Sequence, residues 1–290
     1  MKIKKNKKLL VCSFSGGRTS AFMARFINEY EKYKNYDKVF LFANTGKEKE
    51  ETLEFINKCD IEFNLNVVWL EAKVQKNKGD GTTYKIVDFK TASRDGKPFE
   101  DIIKKYGLSN TFASTCTREL KQRPMDKYKK YLKDKYEYTE IVTAIGIRYD
   151  ERHRKSIHAN NNNWIYPLCD DIKVDNKFIR NFWDAQCFDL ELKDYQGNCD
   201  LCFKKSMRKR LTMIKENPKD AEWWIEMENK YSNEKKPRFD LRQNKTYKEQ
   251  LEMSKLPFKS VEDVHELRKK QANLFDNDMD FETDCFCKAT

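Results

Sequence analysis

The chain has 290 residues, about twice the ~150-residue prior for one domain, so two domains, or one α/β domain with a large appendage, are expected. With 39% hydrophobic and 13% aromatic residues it can bury a sizeable core despite 36% charged residues, which excludes a disordered tail protein. The 58 Lys+Arg outnumber the 47 Asp+Glu by a formal +11, which points to nucleotides, nucleic acid or other anions as partners, with a lysine-rich solvated surface as the plain alternative.

Residues 9–13 (LLVCS) are a short apolar run closed by Gly16-Gly17, the form of a buried parallel strand. Residues 19–34 follow with helical period, placing Phe22, Phe26, Ile27 and Tyr30 on one face. A second strand at 39–43 (VFLFA), a charged helix at 49–63 and a third strand at 67–70 (VVWL) complete a β-α-β-α-β order. That order predicts a doubly wound, mainly parallel sheet with helices on both faces. Residues 82–92 fit an extra hairpin or a loop, 120–135 a helix, 140–147 (EIVTAIGI) another buried strand, and 175–185 a further helix. Beyond about residue 205 the pattern is helical and highly charged, broken at Pro218 and Pro237. The expected division is an α/β domain over 1–195 and a helical, cysteine-bearing region over 196–290.

No apolar stretch approaches the roughly 18–20 residues that span a bilayer, so no membrane partner is expected. The basic start, residues 1–8, leads into an apolar run that stops at Val11, too short for a signal h-region. Nine cysteines without an export signal point to metal or redox chemistry in a cytoplasmic protein, rather than a disulfide framework.

The sharpest motif lies between the first strand and the first helix: Ser13-Phe14-Ser15-Gly16-Gly17-Arg18-Thr19-Ser20. The glycines let the backbone turn tightly and approach a ligand, and the helix start offers N–H groups and a dipole to a phosphate. Ser15 and Ser20 add hydroxyls and Arg18 a charge, but the lysine of a G-K-[ST] loop is absent. Downstream, Cys199-Asp200-Leu201-Cys202 has a spacing that lets two thiolates reach one metal, and Cys285-Phe286-Cys287 can close such a site as zinc would take it.

The loop resembles the PP-loop (SGGxDS and variants) of N-type ATP pyrophosphatases, whose fold is shared by adenylyl-sulfate and phosphoadenylyl-sulfate (PAPS) reductases, with Thr19 where many members carry aspartate. Asn44-Thr45-Gly46, with Glu51-Thr52 beyond, resembles the DTG…ET stretch of those reductases, and Gly146-Ile147-Arg148 through Arg152 resembles a GIRxxE or GxRxxxS segment. The resemblance implies an adenine nucleotide held by Ser13, Ser15, Gly16, Gly17, Arg18, Thr19, Ser20, Asn44, Thr45 and Gly46. Arg148 suits a bidentate grip on a phosphate or sulfate, or else a surface ion pair with Asp150 or Glu151. With Arg18 and Lys121 it makes the catalytic set. Thr115-Cys116, ahead of Lys121 and Pro124, resembles the family's CC…K..P run. Members with a 4Fe–4S cluster pair that run with a later C-x₂-C, which implies a cluster on Cys116, Cys199 and Cys202 with Cys285 or Cys287 as fourth ligand, preferred to Zn²⁺.

The expected enzyme binds ATP with Mg²⁺ and activates an acceptor as its adenylate, releasing pyrophosphate. The +11 charge suits sulfur transfer to an acceptor on tRNA or DNA, and self-association into a homo-oligomer is left open. The rivals are a sulfonucleotide reductase, whose nucleophile would be Cys285, and a non-catalytic nucleotide- or nucleic-acid-binding protein, which Thr19 in place of aspartate supports.

Overall fold

A computed structural model describes residues 7–75 and 79–272. They divide into two units, one holding the described residues up to Pro98 together with Thr117–Glu191, the other Phe99–Cys116 with those from Leu192 onward. The division assigns the 99–116 segment to the helical unit, a placement that chain order alone does not suggest.

In the first unit β1 (Lys8–Ser13), β2 (Asp37–Asn44), β3 (Val68–Val74), β4 (Thr82–Val87), β5 (Glu140–Ala144) and β6 (Trp164–Ile165) form one six-stranded sheet in the order β4-β3-β2-β1-β5-β6. Every pairing is parallel except β3 with β4. The sheet thus matches the doubly wound expectation, and β4 resolves the ambiguous 82–92 stretch as an antiparallel edge strand. Leu9, Leu10, Val11 and Cys12 are all buried, as expected of a central parallel strand covered on both faces. The crossovers run through α1 (Arg18–Glu29), α2 (Glu50–Glu62) and α4 (Arg123–Tyr136). Pro124 sits in the first turn of α4, where its missing N–H costs nothing, and a π-helical turn, Thr117–Gln122, precedes it. One face of α4 packs Tyr128 and Leu132 onto Leu9, Val11, Leu41 and Leu70 of the sheet. Beyond the sheet, α5 (Pro167–Asp170) and α6 (Asn176–Asp184) follow, the latter capped by Asp175, whose carboxylate accepts from Phe178 N–H.

After β1 the chain passes to β2 on one side and only later returns as β5 on the other. This reversal is a topological switch point, and the crevice outside the carboxyl ends of such strands is where open α/β sheets bind ligands.

The helical unit begins within α3 (Lys97–Tyr106) and continues with α7 (Met207–Glu216), α8 (Asp220–Tyr231), α9 (Tyr247–Lys255) and α10 (Val261–Ala272). Its centre is aromatic: Trp224 lies 4.9 Å from Phe239 and 5.0 Å from Tyr247 by ring centroid, with Phe99 at 5.7 Å. Among the described residues no helix is long and apolar enough to cross a membrane.

Candidate active site at the carboxyl edge of the sheet

Ser13 ends β1, Phe14 is buried and donates its N–H to the Leu41 carbonyl (2.9 Å), and the chain turns at Gly16 with φ +83°. A Cβ there would lie 2.6 Å from Thr52 Cγ2 and 2.9 Å from Ile56 Cδ1, so both the backbone and the packing of α2 demand glycine. Gly17 has no such neighbour and takes φ −95° as the N-cap of α1, without a capping side chain. The Ser20 hydroxyl staples the loop: it donates to the Gly17 carbonyl (2.9 Å) and accepts from Ser15 N–H (3.2 Å) and Ser15 Oγ (3.0 Å). No acidic residue occupies the first turn of α1, which leaves its positive dipole end uncompensated by a carboxylate.

Arg18 points away from a free role. Its guanidinium grips Asp189 through Nε (2.7 Å) and Nη2 (2.6 Å), also donates to the Leu190 carbonyl, and its own carbonyl accepts from Trp183 Nε1 (3.0 Å). Arg148 does reach the loop. Its Nη1 donates to Thr19 Oγ1 at 3.2 Å, while Nε and Nη2 meet the Asp150 carboxylate at 3.1 and 3.2 Å and Glu151 stands 3.6 Å off. The local ion pair with Asp150 and Glu151 is thus present, with Nη1 turned to the loop, and a grip on phosphate or sulfate is left as a proposal. Gly146, two residues earlier, sets the segment against α1, where a Cβ would come 3.4 Å from Ser20 Cα.

Asn44, Thr45 and Gly46 end β2 as a buried frame. Asn44 Nδ2 donates to Glu71 Oε1 (2.6 Å) and the Ser93 carbonyl (2.9 Å), and its Oδ1 accepts from Gly46 N–H (3.2 Å). Thr45 sets both its N–H and its hydroxyl against the buried Glu48 carboxylate, each at 2.8 Å. Gly46, at φ +78°, accepts from Gly96 N–H (2.8 Å). Fully buried Glu71 on β3 also takes Ser93 N–H, Ser93 Oγ and Lys85 Nζ, enough donors to compensate a carboxylate in the interior. Sequence reading missed Glu71 and Asp189; a lone acid directly after the apolar run VVWL, in the middle of β3, is the signal that marks the first. Lys121 is half-buried in the π-helical turn, which packs on β2 and β3. Thr52, against Gly16, carries a buried hydroxyl with no hydrogen-bond partner among the described residues.

Of the cysteines expected to hold a metal, Cys116, Cys199 and Cys202 lie in the helical unit. Cys116 is half-buried and its N–H donates to Ser109 Oγ (3.0 Å); Cys199 is buried and Cys202 half-buried, joined by a turn in which Cys202 N–H meets the Cys199 carbonyl at 3.4 Å. The loop around them is tied by buried cations. Lys205 Nζ donates to the Tyr195 carbonyl (3.0 Å) and the Gly197 carbonyl, and Arg210 donates to the carbonyls of Phe203 (2.6 Å) and Lys205 (2.7 Å) while pairing with Asp240. Burial lowers Lys205 to about 8. Among the described residues no three His, Cys, Asp or Glu side chains are grouped as a metal ion requires, and Cys285 and Cys287 lie outside those residues.

Residues 9–164 match the phosphoadenosine phosphosulfate reductase domain, which is more than half of the chain. The chain belongs to this family. A nin region protein, ORF290, of Escherichia phage lambda is 32% identical over 202 residues, covering 69% of this chain and 67% of the phage protein. A crystal structure of phosphoadenylyl-sulfate reductase from Candida auris, in a phosphate complex, superposes at a TM-score of 0.36 and 14% identity, over 63% of this chain and 73% of that one. Membership in the PAPS reductase family makes the protein a nucleotide-using enzyme of the PP-loop group. Its matched segment contains the SGG loop, the Asn44–Gly46 frame and Arg148.

Proposed function

We propose that the protein binds ATP at the Ser15–Ser20 loop and adenylates an acceptor, in preparation for sulfur transfer to a nucleic acid. The observation that carries this reading is the convergence of three features on one loop: the glycine turn forced at Gly16, an α1 start with no capping side chain, and the Arg148 guanidinium 3.2 Å from Thr19. The α1 N–H groups would hold the pyrophosphate, and Arg148 would share its negative charge. In the reaction an acceptor oxygen attacks the α-phosphorus, the bond to pyrophosphate breaks, and a sulfur nucleophile later displaces AMP.

Mg²⁺ is usually held by one or two carboxylates together with substrate phosphates; where Thr19 replaces aspartate, Asp150 would serve only by exchanging its pairing with Arg148 for the ion. Bound there, the ion would supply Lewis-acid stabilisation of the leaving pyrophosphate. The described thiols do not make a metal group by themselves. A 4Fe–4S cluster or zinc on Cys116, Cys199 and Cys202, completed by Cys285 or Cys287, is proposed from sequence alone and carries no step.

The family match favours a second reading, reduction of a sulfonucleotide, which needs a free thiolate such as Cys285. Affinity of anaerobically purified protein for ATP with Mg²⁺, measured against adenylyl sulfate and phosphoadenylyl sulfate, separates the two. Preference for ATP supports adenylation, and preference for a sulfonucleotide overturns it.

A further inference from the structure

We propose that the outer face of α4 is a docking surface for single-stranded nucleic acid, its cations tracking the phosphates and Tyr131 stacking a base. The inference rests on the reading above for the kind of acceptor. The 14 residues of α4, RPMDKYKKYLKDKY, hold Arg123, Lys127, Lys129, Lys130, Lys133 and Lys135 against only Asp126 and Asp134. Pro124, Tyr128 and Leu132 face the sheet, and at 100° per residue Arg123 and Lys130 fall on the opposite side with Lys127 on the adjoining flank, all three exposed.

Elsewhere on the unit cations are commonly spent on carboxylates, as in Lys32–Asp171, Lys155–Asp170 and Arg94–Glu50. On α4 Asp126 takes Lys129 (2.8 Å), whereas among the described residues Arg123, Lys127, Lys130 and Lys133 have no side-chain partner. Asp134 ends the stripe at its C-terminal side. The three cations of the stripe rise by about 6 and about 4.5 Å along the helix axis, a row along which a flexible strand can lay successive phosphates. Beside them Tyr131 is 42% exposed, backed by Tyr128 (6.0 Å, interplanar 28°) and held by Lys135 Nζ at its hydroxyl (2.9 Å). Unpaired cations alternating with a braced, exposed ring are what single strands use, since unstacked bases offer π-faces that a duplex hides.

The stripe also leads to the right edge of the sheet. Glu119, just before α4, accepts from Thr82 Oγ1 (2.6 Å), and Thr82 pairs with Val74 at the carboxyl end of β3. The Arg123 end of α4 therefore lies at the same sheet edge as the Ser15–Ser20 loop, and the helix runs from there toward the amino edge and β5. A strand lying on α4 has one end directed to the edge where ATP would be consumed.

The test uses the full-length chain and a fluorescent single-stranded oligonucleotide, with anisotropy read between 50 and 200 mM salt. The triple variant Arg123→Ala, Lys127→Ala, Lys130→Ala is compared with a control, Lys219→Ala, Lys248→Ala, Lys259→Ala, which removes the same charge from exposed sites on the helical unit. Removing three phosphate contacts should lower the slope of log K against log salt by about 2 and the affinity by about tenfold or more, the control staying near wild type. Tyr131→Ala should lose affinity for single strand with its salt slope unchanged. Equal losses in both triples, no loss in the first, or tighter binding of a duplex would each overturn the proposal. ATP affinity is read on the same samples: if the unaltered protein binds no ATP, the nucleotide reading falls while the strand-binding result still decides the surface.

Discussion

Two loops in this chain are built by opposite means. Around Gly16 the protein leaves groups unspent: α1 starts without a capping side chain, and the Thr52 hydroxyl is buried without a partner among the described residues. Around Cys199 and Cys202 it spends everything. Lys205, Arg210 and Tyr247 capture the carbonyls of Tyr195, Gly197, Leu201, Phe203 and Lys205, and Asp200 takes Trp224 Nε1 at 2.8 Å. An anion site needs donors held ready in a fixed frame, whereas a loop bearing two thiols needs its backbone fixed before anything binds. The first therefore tests as a binding defect and the second as a folding defect.

The largest expected effect is on the saturated loop. Arg210→Met strands the buried Asp240 carboxylate and frees the Phe203 and Lys205 carbonyls, which should cost about 3–5 kcal/mol. Urea unfolding followed by Trp fluorescence, with Trp223 and Trp224 as reporters in this unit, would register it. If Arg210→Met unfolds like wild type, the cation frame is not what holds the loop.

Next comes the contrast between adjacent glycines. Gly16→Ala forces a side chain to φ +83° and into Thr52, so a strain of about 1–3 kcal/mol and at least a tenfold loss of nucleotide affinity are expected. Gly17→Ala, at φ −95° in open space, should change affinity less than threefold, or about 0.6 kcal/mol. Equal effects at both positions, read by isothermal titration with ATP and Mg²⁺, would show that turn geometry is not the determinant.

A separate expected effect is a pH slope. Buried Glu228 accepts from Phe239 N–H (3.0 Å) and Tyr247 N–H (2.7 Å), and burial raises it to about 7 from 4.5. The folded state then binds a proton more tightly than the unfolded one, so this contribution is full below pH 4.5 and is lost as pH rises to about 7. Thermal melts between pH 4.5 and 7 should show the decline, and Glu228→Gln should flatten it; an unchanged slope in the variant would assign the decline to other groups.

The sheet was legible because its strands are continuous apolar runs and its crossovers carry helical period, and the SGG loop was legible because glycine and serine at a strand–helix junction have few other uses. The edge strand β4 was not, since Thr82–Val87 is half-exposed and lacks a clean alternation. The 97–106 helix was passed over: Gly96 and Pro98 interrupt its start, although proline suits a first helical turn. Long-range pairs leave no local signal: that Arg18 turns to Asp189, 171 residues away, and that Glu71 organises Asn44 and Ser93, come only from tertiary structure. In the sequence Lys204, Lys205, Arg208, Lys209 and Arg210 form a cationic run, yet Lys205 and Arg210 are buried and hold the carbonyls of the cysteine loop.

The most direct test compares ATP with Mg²⁺ against phosphoadenylyl sulfate by titration calorimetry on wild type, Arg148→Ala and Arg18→Ala under anaerobic conditions. With Arg148 at the loop and Arg18 committed to Asp189, Arg148→Ala should weaken ATP binding about tenfold or more by removing a charge-assisted contact, and Arg18→Ala should weaken it less. Tighter binding of phosphoadenylyl sulfate than of ATP, or an Arg148→Ala variant that binds ATP as well as wild type, would contradict the proposed site.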